Sequence, residues 1–546
     1  MSFSAQDRPK ILDTLEKEYF DIIVIGGGIT GAGIALDAAS RGFKTALVEK
    51  GDFASGTSSK STKLIHGGLR YLKQMEFGLV REVGKERAIV HKIAPHLVRP
   101  EKMLLPLITD GNYGSIVASV GLMVYDVLAD VEVEDQRKML SKEETLKLEP
   151  LLKKEVVEGS GLYAEYQTDD FRLVVEIIKA SRKYQAVPIN YVEVIEVLEK
   201  GGKACGTKCR DQITGRELNI YADYVINATG PWVDDVRGQK EEIEGKSLFL
   251  TKGVHLVVPH DRLPINHALY FDIADGRMMF AIPKKEVTYI GTTDTAYSGD
   301  PSHASTTKED VDYLINAVNH MFPSVNLSVE DIQSSWAGVR PLISEKGKSA
   351  SEISRKDELF IAKNGMVSIA GGKLTGYRQM AKKAVMTIIE KKEKSTGIAK
   401  KRKCKTRKIK LPGNEFKNYK AVIKLKAELS DFYQSFDKKA IDYLVDLYGA
   451  QASQILSDSS KMEGNNLAEA VLESEVVFCL ENEMVMTLLD FYERRTGRLY
   501  FDIESVKKTM NRVAAVFSKF HQWDDKRKAL ELVQLELALT RRVTFL

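Results

Sequence analysis

The chain has 546 residues, which is too long for one compact core, so we expect two or three domains. Hydrophobic residues make up 43% of the sequence and charged residues 29%, as in soluble globular proteins. The 80 basic and 76 acidic residues leave a net charge of only +4, which gives no signal for nucleic-acid binding.

The N-terminal residues and the cysteines bear on the compartment. Residues 1–20 lack the apolar core of a signal peptide, so we expect a cytoplasmic chain. The four cysteines fit neither a metal-binding spacing nor a disulfide framework. We therefore expect a reducing compartment and no metal site.

Residues 20–50, FDIIVIGGGITGAGIALDAASRGFKTALVEK, carry the most informative pattern. They predict a buried strand over 21–25, a helix over 30–41 and a second strand over 45–48. Gly26 permits a tight turn, Gly28 lets a pyrophosphate approach the backbone, and Gly31 lets the helix lie close to the strand. The pattern predicts a βαβ unit that binds the ADP half of a dinucleotide, with the diphosphate at the helix N-terminus.

Glu49 closes the second strand, where a carboxylate can accept hydrogen bonds from ribose hydroxyls. A carboxylate at this position would repel the 2′-phosphate of NADP. FAD and NAD remain as candidate cofactors.

Two later segments concentrate cationic side chains on constrained loops. After a loop of small residues at 54–59, the segment KLIHGGLRYL places His66, Arg70 and Tyr71 around a glycine pair. The segment WAGVRPL places Arg340 directly before a proline, and Arg355 follows in SRKD. Arginines on such loops suit bidentate recognition of a phosphate or carboxylate, although each alone is as well explained by a surface ion pair.

The run SIVASVGLMVY at residues 115–125 is the longest apolar stretch. It is too short to span a bilayer and is followed by Asp126. We interpret it as a buried helix, with an interfacial helix as the alternative.

Two further strands are predicted to end in glycine turns. DYVINATG, residues 223–230, would bring the backbone of Ala228 and Gly230 against the cofactor. A strand over 366–370 is followed by GGKLT and a helix over 377–389, which makes a second anion site. One dinucleotide needs one such site for its pyrophosphate, and a second suits the anionic reduced flavin, so the pattern favours FAD over NAD.

Residues 396–413 are rich in Lys and Arg and predict a solvated linker, with attraction to anionic lipid headgroups as the alternative. Beyond them, residues 414–546 show helical apolar spacing at 438–447, 483–493, 503–520 and 526–539. We expect a separate C-terminal helical domain.

Taken together, the motifs resemble those of one family, the FAD-dependent glycerol-3-phosphate dehydrogenases. The segments that occur in that family's order are IVIGGGITGAGIALDAASRG, TSSKSTKLIHGGLRYL, INATGPW, IGTTDTAYSGDP, AGVRPL and GGKLTGYR. The resemblance covers residues 18–395, and the helical tail is similar to the family's C-terminal domain.

The resemblance implies an α/β fold, α+β overall, with a Rossmann-like FAD-binding domain of the D-amino-acid oxidase and glutathione-reductase type. This domain would combine residues 18–95, 170–245 and 340–395. Residues 96–169 and 246–339 would form an antiparallel-sheet substrate domain. Residues expected to bind the cofactor are Gly26, Gly28, Gly31, Glu49, Ser58, Ser59, Ala228, Gly230, Gly371, Gly372, Lys373, Leu374 and Thr375.

The implied reaction oxidises sn-glycerol 3-phosphate to dihydroxyacetone phosphate, with hydride transfer from C2 to flavin N5. By the same resemblance, Arg340 and Arg355 would hold the phosphate, assisted by Tyr71 and Thr293. His66, Arg70 and Lys373 would surround the reacting hydroxyl. We interpret His66 as the base, since histidine titrates nearest neutrality, and leave Arg70 and Lys373 open as base or alkoxide stabiliser.

The acceptor and the partners are less constrained. We expect non-covalent FAD, transfer of electrons to a membrane quinone and contact with an anionic membrane on its cytoplasmic face, and a homodimer stays open. The alternatives are an oxygen-using glycerophosphate oxidase, an amine or amino-acid oxidase of the same fold, and a non-catalytic FAD-binding protein. The related oxidases typically carry an extra insertion in mid-chain, and its absence here favours the dehydrogenase.

Overall fold

The computed structural model describes residues 3–66, 77–109, 111–112, 137–239, 243, 245–344, 356–397, 403–462 and 466–545. Its strands are β1 (Tyr19–Ile25), β2 (Thr45–Val48), β3 (Leu64–Ile65), β4 (Val98–Ile108), β5 (Lys138–Ser141), β6 (Val157–Thr168), β7 (Val187–Ile189), β8 (Val192–Lys200), β9 (Lys203–Asp211), β10 (Glu217–Asn227), β11 (Leu248–Pro259), β12 (Ala268–Asp272), β13 (Met278–Lys284), β14 (Val287–Gly291), β15 (Thr295–Ala296), β16 (Ser334–Ile343), β17 (Asp357–Ile361) and β18 (Val367–Gly371). Its α-helices are α1 (Arg8–Lys17), α2 (Ile29–Ser40), α3 (Phe77–Ile93), α4 (Lys142–Leu148), α5 (Asp170–Arg182), α6 (Val233–Arg237), α7 (Lys308–Met321), α8 (Tyr377–Thr396), α9 (Tyr419–Phe432), α10 (Lys438–Tyr448), α11 (Ala452–Ser459), α12 (Leu467–Asn482), α13 (Arg498–Phe501), α14 (Ile503–His521) and α15 (Asp525–Arg541).

The first sheet has the strand order β17-β18-β10-β1-β2-β7. Strand β1 is parallel to β2 and β10, and β10 is parallel to β18, so the carboxyl ends of these four strands lie at one edge. Residues 22–25 are at most 4% exposed, as the apolar run predicted for a strand covered on both faces. The predicted β1, α2 and β2 are confirmed, with helix α2 beginning one residue earlier than expected.

Helices α2 and α8 pack against each other beside this sheet. A Cβ on Gly33 would lie 2.8 Å from the ring of Tyr377, so only glycine allows this approach. Helix α2 follows β1 and α8 follows β18, so the N-terminal ends of both helices point to the same edge of the sheet.

The second sheet has the order β15-β11-β14-β13-β12-β4-β6-β3, with β16 paired to β11 and β5 paired to β6. Its neighbours are antiparallel as predicted, except that β4 and β12 run parallel. Strand β16 stays paired with β11 as far as Ile343. The domain boundary that the sequence suggested at residue 340 falls inside this strand and stays a prediction.

Helices α9 to α15 enclose a hydrophobic core of their own, which includes Leu444, Phe478 and Leu535. The predicted helices at 438–447, 503–520 and 526–539 are confirmed as α10, α14 and α15. The predicted helix at 483–493 is wrong in its first half, because α12 ends at Asn482 and the chain becomes helical again only at Leu488, with a π-helix over Asp490–Arg495. The intervening residues are apolar because they are buried where the helical domain meets the first sheet's domain.

In the part of the chain that the structure describes, each helix is too short or too polar to cross a bilayer. The apolar run at residues 115–125 lies outside the described residues, so its interpretation as a buried helix stays a prediction.

Candidate active site

A cavity of about 1020 Å³ opens at the carboxyl ends of β1, β10 and β18 and is lined by residues of both sheets. Ligand pockets usually span about 300–1,000 Å³, so the cavity is large enough for a dinucleotide-sized group. In open α/β sheets, ligands bind outside the carboxyl ends of the strands, and this cavity lies at that position.

The glycine turn after β1 forms one wall of the cavity. Gly26 has a φ of +106°, and a Cβ there would lie 2.6 Å from the Ala228 carbonyl oxygen. A Cβ on Gly31 would lie only 1.9 Å from the Gly26 carbonyl oxygen, so α2 can approach the turn only with glycine at 31. Ser58 accepts a hydrogen bond from the Ile29 N–H at 2.9 Å and thereby holds the first turn of α2. The turn and the N-terminus of α2 line the cavity, which is the position where a diphosphate binds in such units.

Glu49 lies beside this turn and lines the cavity. Its Oε2 accepts from the Gly27 N–H at 2.6 Å and its Oε1 accepts from the Gly51 N–H at 2.8 Å. Burial raises the pKa of Glu49, while these two hydrogen bonds oppose the shift. A carboxylate oxygen keeps a second lone pair, so Glu49 can still accept from a ribose hydroxyl.

A second glycine turn, after β18, also lines the cavity. Gly371 and Gly372 have φ values of +76° and +75°, and a Cβ on either would lie 2.5 Å from a neighbouring heavy atom. Residues Leu374–Gly376 form a 3₁₀ turn before α8, so the predicted glycine turn and helix are both present. The two turns, one at each helix N-terminus, fit a ligand that carries a diphosphate and a second anionic group, as reduced FAD does.

His66 is held between the two sheets. Strand β3, immediately before it, pairs with β6, and the Thr375 hydroxyl donates to the His66 carbonyl oxygen at 3.3 Å. The His66 ring lies edge-on to Phe280, with ring centroids 6.1 Å apart. The fully buried Lys63 anchors the same strand through an ion pair of 2.7 Å to Asp170. His66 is therefore positioned in the cavity next to the loop that carries Lys373.

Arg340 presents its guanidinium from β16. It donates to the Thr293 carbonyl oxygen at 3.1 Å, to Asp294 Oδ1 at 3.0 Å and to Thr292 Oγ1 at 2.8 Å. The guanidinium lies on Gly253, where a Cβ would come within 2.1 Å of its Nη2. The orientation of the planar group is thus fixed before a substrate arrives.

The Thr293 hydroxyl has a different environment from the one expected of a phosphate ligand. Thr293 is 2% exposed, and its Oγ1 accepts from the Val254 N–H at 3.0 Å. The hydroxyl therefore stabilises the junction with β11, while the carbonyl oxygen of Thr293 orients Arg340.

The predicted site residues fall into three groups. Those that line the cavity are Gly26, Gly28, Glu49, Ser58, His66, Ala228, Gly230, Thr293, Arg340, Gly371, Gly372, Lys373, Leu374 and Thr375. Gly31 and Ser59 are not among the lining residues. Gly31 packs behind the turn, and Ser59 is buried, with its carbonyl oxygen accepting a hydrogen bond from Lys63 at 2.8 Å. Arg70, Tyr71 and Arg355 lie outside the described residues.

His255 also lines the cavity, although no sequence motif selects it. It stacks on Trp336 with ring centroids 4.7 Å apart, and its Nε2 lies 3.0 Å from Thr62 Oγ1. Burial, and then the charges of Arg340 and Lys63, hold the pKa of His255 well below its usual value. A single histidine in a strand has no sequence pattern that marks it as a site residue. Its place in the cavity follows from the pairing of β11 with β16, which brings it next to Trp336.

Comparisons with known proteins agree with this geometry. Residues 21–378 match the model of the FAD dependent oxidoreductase family, and residues 404–528 match that of the C-terminal domain of alpha-glycerophosphate oxidase. Over 533 residues the chain is 46% identical to the aerobic glycerol-3-phosphate dehydrogenase of Bacillus subtilis (strain 168), covering 96% of each. The chain belongs to the FAD-dependent glycerol-3-phosphate dehydrogenase family.

Other relatives agree with this assignment to the family. The aerobic glycerol-3-phosphate dehydrogenase of Staphylococcus saprophyticus is 44% identical and covers 100% of this chain, with 98% of its own length matched. A structure of the glycerol-3-phosphate dehydrogenase from Bacillus halodurans complexed with FAD is 39% identical, with a TM-score of 0.85 and 99% of both chains covered. Glycine oxidase from Geobacillus kaustophilus, at 19% identity and a TM-score of 0.52, shares the fold alone. The predicted family, fold class and FAD dependence are confirmed.

The close approach at Gly31 leads to a prediction. Gly31→Ala should force α2 away from β1, and we expect FAD binding about 5- to 150-fold weaker, since overpacking costs about 1–3 kcal/mol. Flavin retained after gel filtration and the Kd for FAD are the measurements. Gly78→Ala in α3 is the matched control, because nothing lies within 4 Å of a Cβ there. Equal effects of the two substitutions would contradict the argument.

Proposed function

We propose that the protein oxidises the C2 hydroxyl of sn-glycerol 3-phosphate to a ketone, giving dihydroxyacetone phosphate. The observation that carries the proposal is the position of Arg340 and Lys373 in the cavity that also contains both glycine turns. Two cations and a histidine beside a flavin site suit a phosphorylated alcohol better than an amine substrate. The names of the relatives support the same substrate.

Arg340 supplies recognition of the phosphate. Its planar guanidinium can donate two parallel hydrogen bonds to a phosphate, and its contacts with Thr292 and Asp294 keep that plane fixed. Tyr71 and Arg355 would complete the phosphate site, as the family resemblance suggests. A substrate anchored in this way has its C2 hydroxyl held in one place, which lowers the entropic cost of the reaction.

His66 takes the proton of the C2 hydroxyl in this proposal. FAD, when bound, supplies the acceptor for the hydride that leaves C2. A base must be neutral to accept the proton and lie within hydrogen-bond reach of the hydroxyl. His255 is a poorer candidate, because a histidine with a strongly lowered pKa is a weak base. Lys373, together with Arg70, would stabilise negative charge on the reacting oxygen.

Anaerobic reduction tests the substrate assignment. The protein is mixed without oxygen with glycerol 3-phosphate, and the yellow absorbance of the flavin is followed. We expect complete bleaching with glycerol 3-phosphate, slow or no bleaching with glycerol, and none with glycine, sarcosine or D-alanine. Bleaching by an amine and not by glycerol 3-phosphate would overturn the proposal in favour of an amino-acid oxidase.

We further propose a quinone as the electron acceptor. Support comes from the predicted family and from the aerobic function named in the relatives. After anaerobic reduction, a water-soluble quinone analogue should restore the yellow colour much faster than air-saturated buffer. Stoichiometric release of peroxide in the absence of quinone would instead indicate an oxidase.

The basic linker suggests how the protein meets a membrane. Lys403, Lys405, Arg407 and Lys408 are exposed, and each cation near an anionic surface contributes about 1 kcal/mol. We predict binding to anionic liposomes at low salt and its loss near about 0.5 M salt, where the Debye length is only a few Å. Neutral liposomes are the control in the sedimentation assay. Binding that depends neither on the salt concentration nor on the lipid charge would indicate an apolar attachment.

We also predict that FAD is bound without a covalent bond. The four cysteines all belong to the described residues, and none of them lines the cavity. Of the two histidines that line it, His66 is the proposed base and His255 stacks on Trp336 with its Nε2 3.0 Å from Thr62 Oγ1. Acid precipitation should therefore release all the yellow colour into the supernatant. Flavin that stays with the pellet after washing in denaturant would show a covalent bond.

A further inference from the structure

Two buried arginines of the C-terminal helical domain donate hydrogen bonds to the carboxylate of Asp52, which lies three residues after Glu49 in the chain. Arg495 donates to Asp52 Oδ2 at 2.8 Å and to Asp52 Oδ1 at 3.0 Å, in a bidentate arrangement. Arg494 donates from Nε to Asp52 Oδ2 at 2.8 Å. Asp52 is 1% exposed and Arg495 is fully buried, so both charges have left water.

The backbone that carries these arginines is unusual. Residues Asp490–Arg495 form a π-helix, in which the Thr496 N–H donates to the Phe491 carbonyl oxygen at 3.0 Å. Such i→i+5 turns are rare in proteins, and those that occur are often found at functional sites. Here two consecutive arginines both reach one carboxylate of another domain.

Asp52 belongs to the loop that supports the nucleotide turn. In that loop the Gly51 N–H donates to Glu49 Oε1 at 2.8 Å, and the Ala54 N–H donates to the Gly27 carbonyl oxygen at 3.1 Å. The side chain of Phe53 packs against Gly27, where a Cβ would lie 2.8 Å from its ring. A displacement of Asp52 would therefore move both Glu49 and the glycine turn.

The two arginines offset several acidic side chains in this region. The carboxylates of Asp52, Asp490 and Glu493 are buried here, Arg494 also pairs with Glu493, and Asp52 opposes ionisation of Glu49. Burial alone would raise the pKa of Asp52, but Arg495 and then Arg494 outweigh it and lower that pKa. Arg494 also donates to Asp490 at 2.8 Å. Removing Arg495 would leave the buried Asp52 carboxylate with Arg494 and Asn190 and without its bidentate partner, which is destabilising.

We propose that Arg494 and Arg495 are positioning residues for FAD. By holding Asp52 they fix the loop 49–54 against the dinucleotide turn, so the affinity for the cofactor depends on the C-terminal helical domain. The proposal rests on FAD binding alone and is independent of the substrate. The domain thus takes part in forming the cofactor site through its contacts with Asp52.

The test measures the Kd of the full-length apoprotein for FAD by flavin fluorescence, beside the Tm of the apoprotein and its circular dichroism. We expect Arg495→Met to weaken FAD binding at least tenfold. Adding Asp52→Asn removes the carboxylate charge that Arg495 no longer balances, so the double variant should regain most of the affinity for FAD. A Tm that falls in Arg495→Met while the Kd stays unchanged would overturn the proposal, and so would a double variant that binds no better than the single one.

Arg99→Met is the matched control. Arg99 also joins the two parts of the molecule through buried ion pairs, to Asp446 of α10 at 3.3 Å and to Asp169 at 3.2 Å, but it lies away from the loop 49–54. It should lower the Tm and leave the Kd for FAD within about twofold. Equal weakening by both variants would mean that the effect is general loosening and would refute a positioning role.

A milder pair of variants covers the case in which Arg495→Met does not fold. Arg494→Lys keeps the charge but loses the planar group, so FAD binding should weaken several-fold while the far-ultraviolet circular dichroism stays the same. The same substitution at Arg498, which pairs with Glu475 inside the helical domain at 2.6 Å, should leave the Kd unchanged. An unchanged Kd in Arg494→Lys would contradict the proposal. Because no substrate is added, these results stand whether or not glycerol 3-phosphate proves to be oxidised.

Discussion

His66→Gln should lower kcat by about 10²–10⁴-fold, the usual contribution of a positioned general base. Glutamine keeps the size and hydrogen-bonding capacity of the side chain but cannot accept the hydroxyl proton. KM for glycerol 3-phosphate should change little, because the proposed phosphate ligand Arg340 lies on a different strand, β16, and acts independently of His66. Flavin reduction in a single anaerobic turnover is the direct measurement.

The pH profile separates a base from a residue that only shapes the cavity. A histidine base is active when neutral, so kcat/KM of the unmodified protein should fall as the pH drops through its pKa. His66→Gln should abolish this acidic limb and leave a flat, low rate. His255→Gln is the control within the same cavity and should keep the limb, since the lowered pKa of His255 excludes it as the titrating group. A limb that survives in His66→Gln and vanishes in His255→Gln would reverse the assignment.

The nucleotide-binding half of the site was predictable from sequence because its causes are local. Gly31 is required by a contact within one βαβ unit, Gly26 by the positive φ of the turn itself, and the apolar run of β1 reflects burial on both faces of one strand. The spacing of such residues along the chain is enough to fix the turn, the helix and the following acid. The second turn at Gly371 and Gly372 was predictable for the same reason.

The substrate half depends on contacts between distant segments. Arg340 is oriented by residues 292–294, which are separated from it by α7 and reach it only through the pairing of β11 with β16. The hydroxyl of Thr293 is engaged by β11 for the same reason, which no motif reveals. His255 became visible as a cavity residue only in three dimensions.

The segment 483–495 shows the limit of periodicity. Its apolar residues recur as in an amphipathic helix, yet Glu483 is buried and pairs with Arg172 of α5 at 2.6 Å. Residues buried against two different domains need not follow a single helical face. The sequence features that mark this stretch are a buried acid and two consecutive arginines. Their structural role depends on Asp52, which lies more than 400 residues earlier in the chain.

Arg340→Lys should lower kcat/KM for glycerol 3-phosphate by about 10–1,000-fold, or about 1.4–4 kcal/mol of transition-state stabilisation. Lysine keeps one positive charge but cannot donate two parallel hydrogen bonds, and it cannot reproduce the three contacts that Arg340 makes with residues 292–294. Slow turnover of glycerol should not decline, because glycerol has no phosphate for Arg340 to bind.

Arg277→Lys is the matched control, since Arg277 also lines the cavity but is bound by Asp275 of its own turn at 2.8 Å. Its kcat/KM should stay within about threefold of the unmodified protein, as expected for an exposed ion pair worth about 0–1 kcal/mol. Equal losses for glycerol and glycerol 3-phosphate in Arg340→Lys would show that the arginine supports the fold of the loop and does not recognise phosphate.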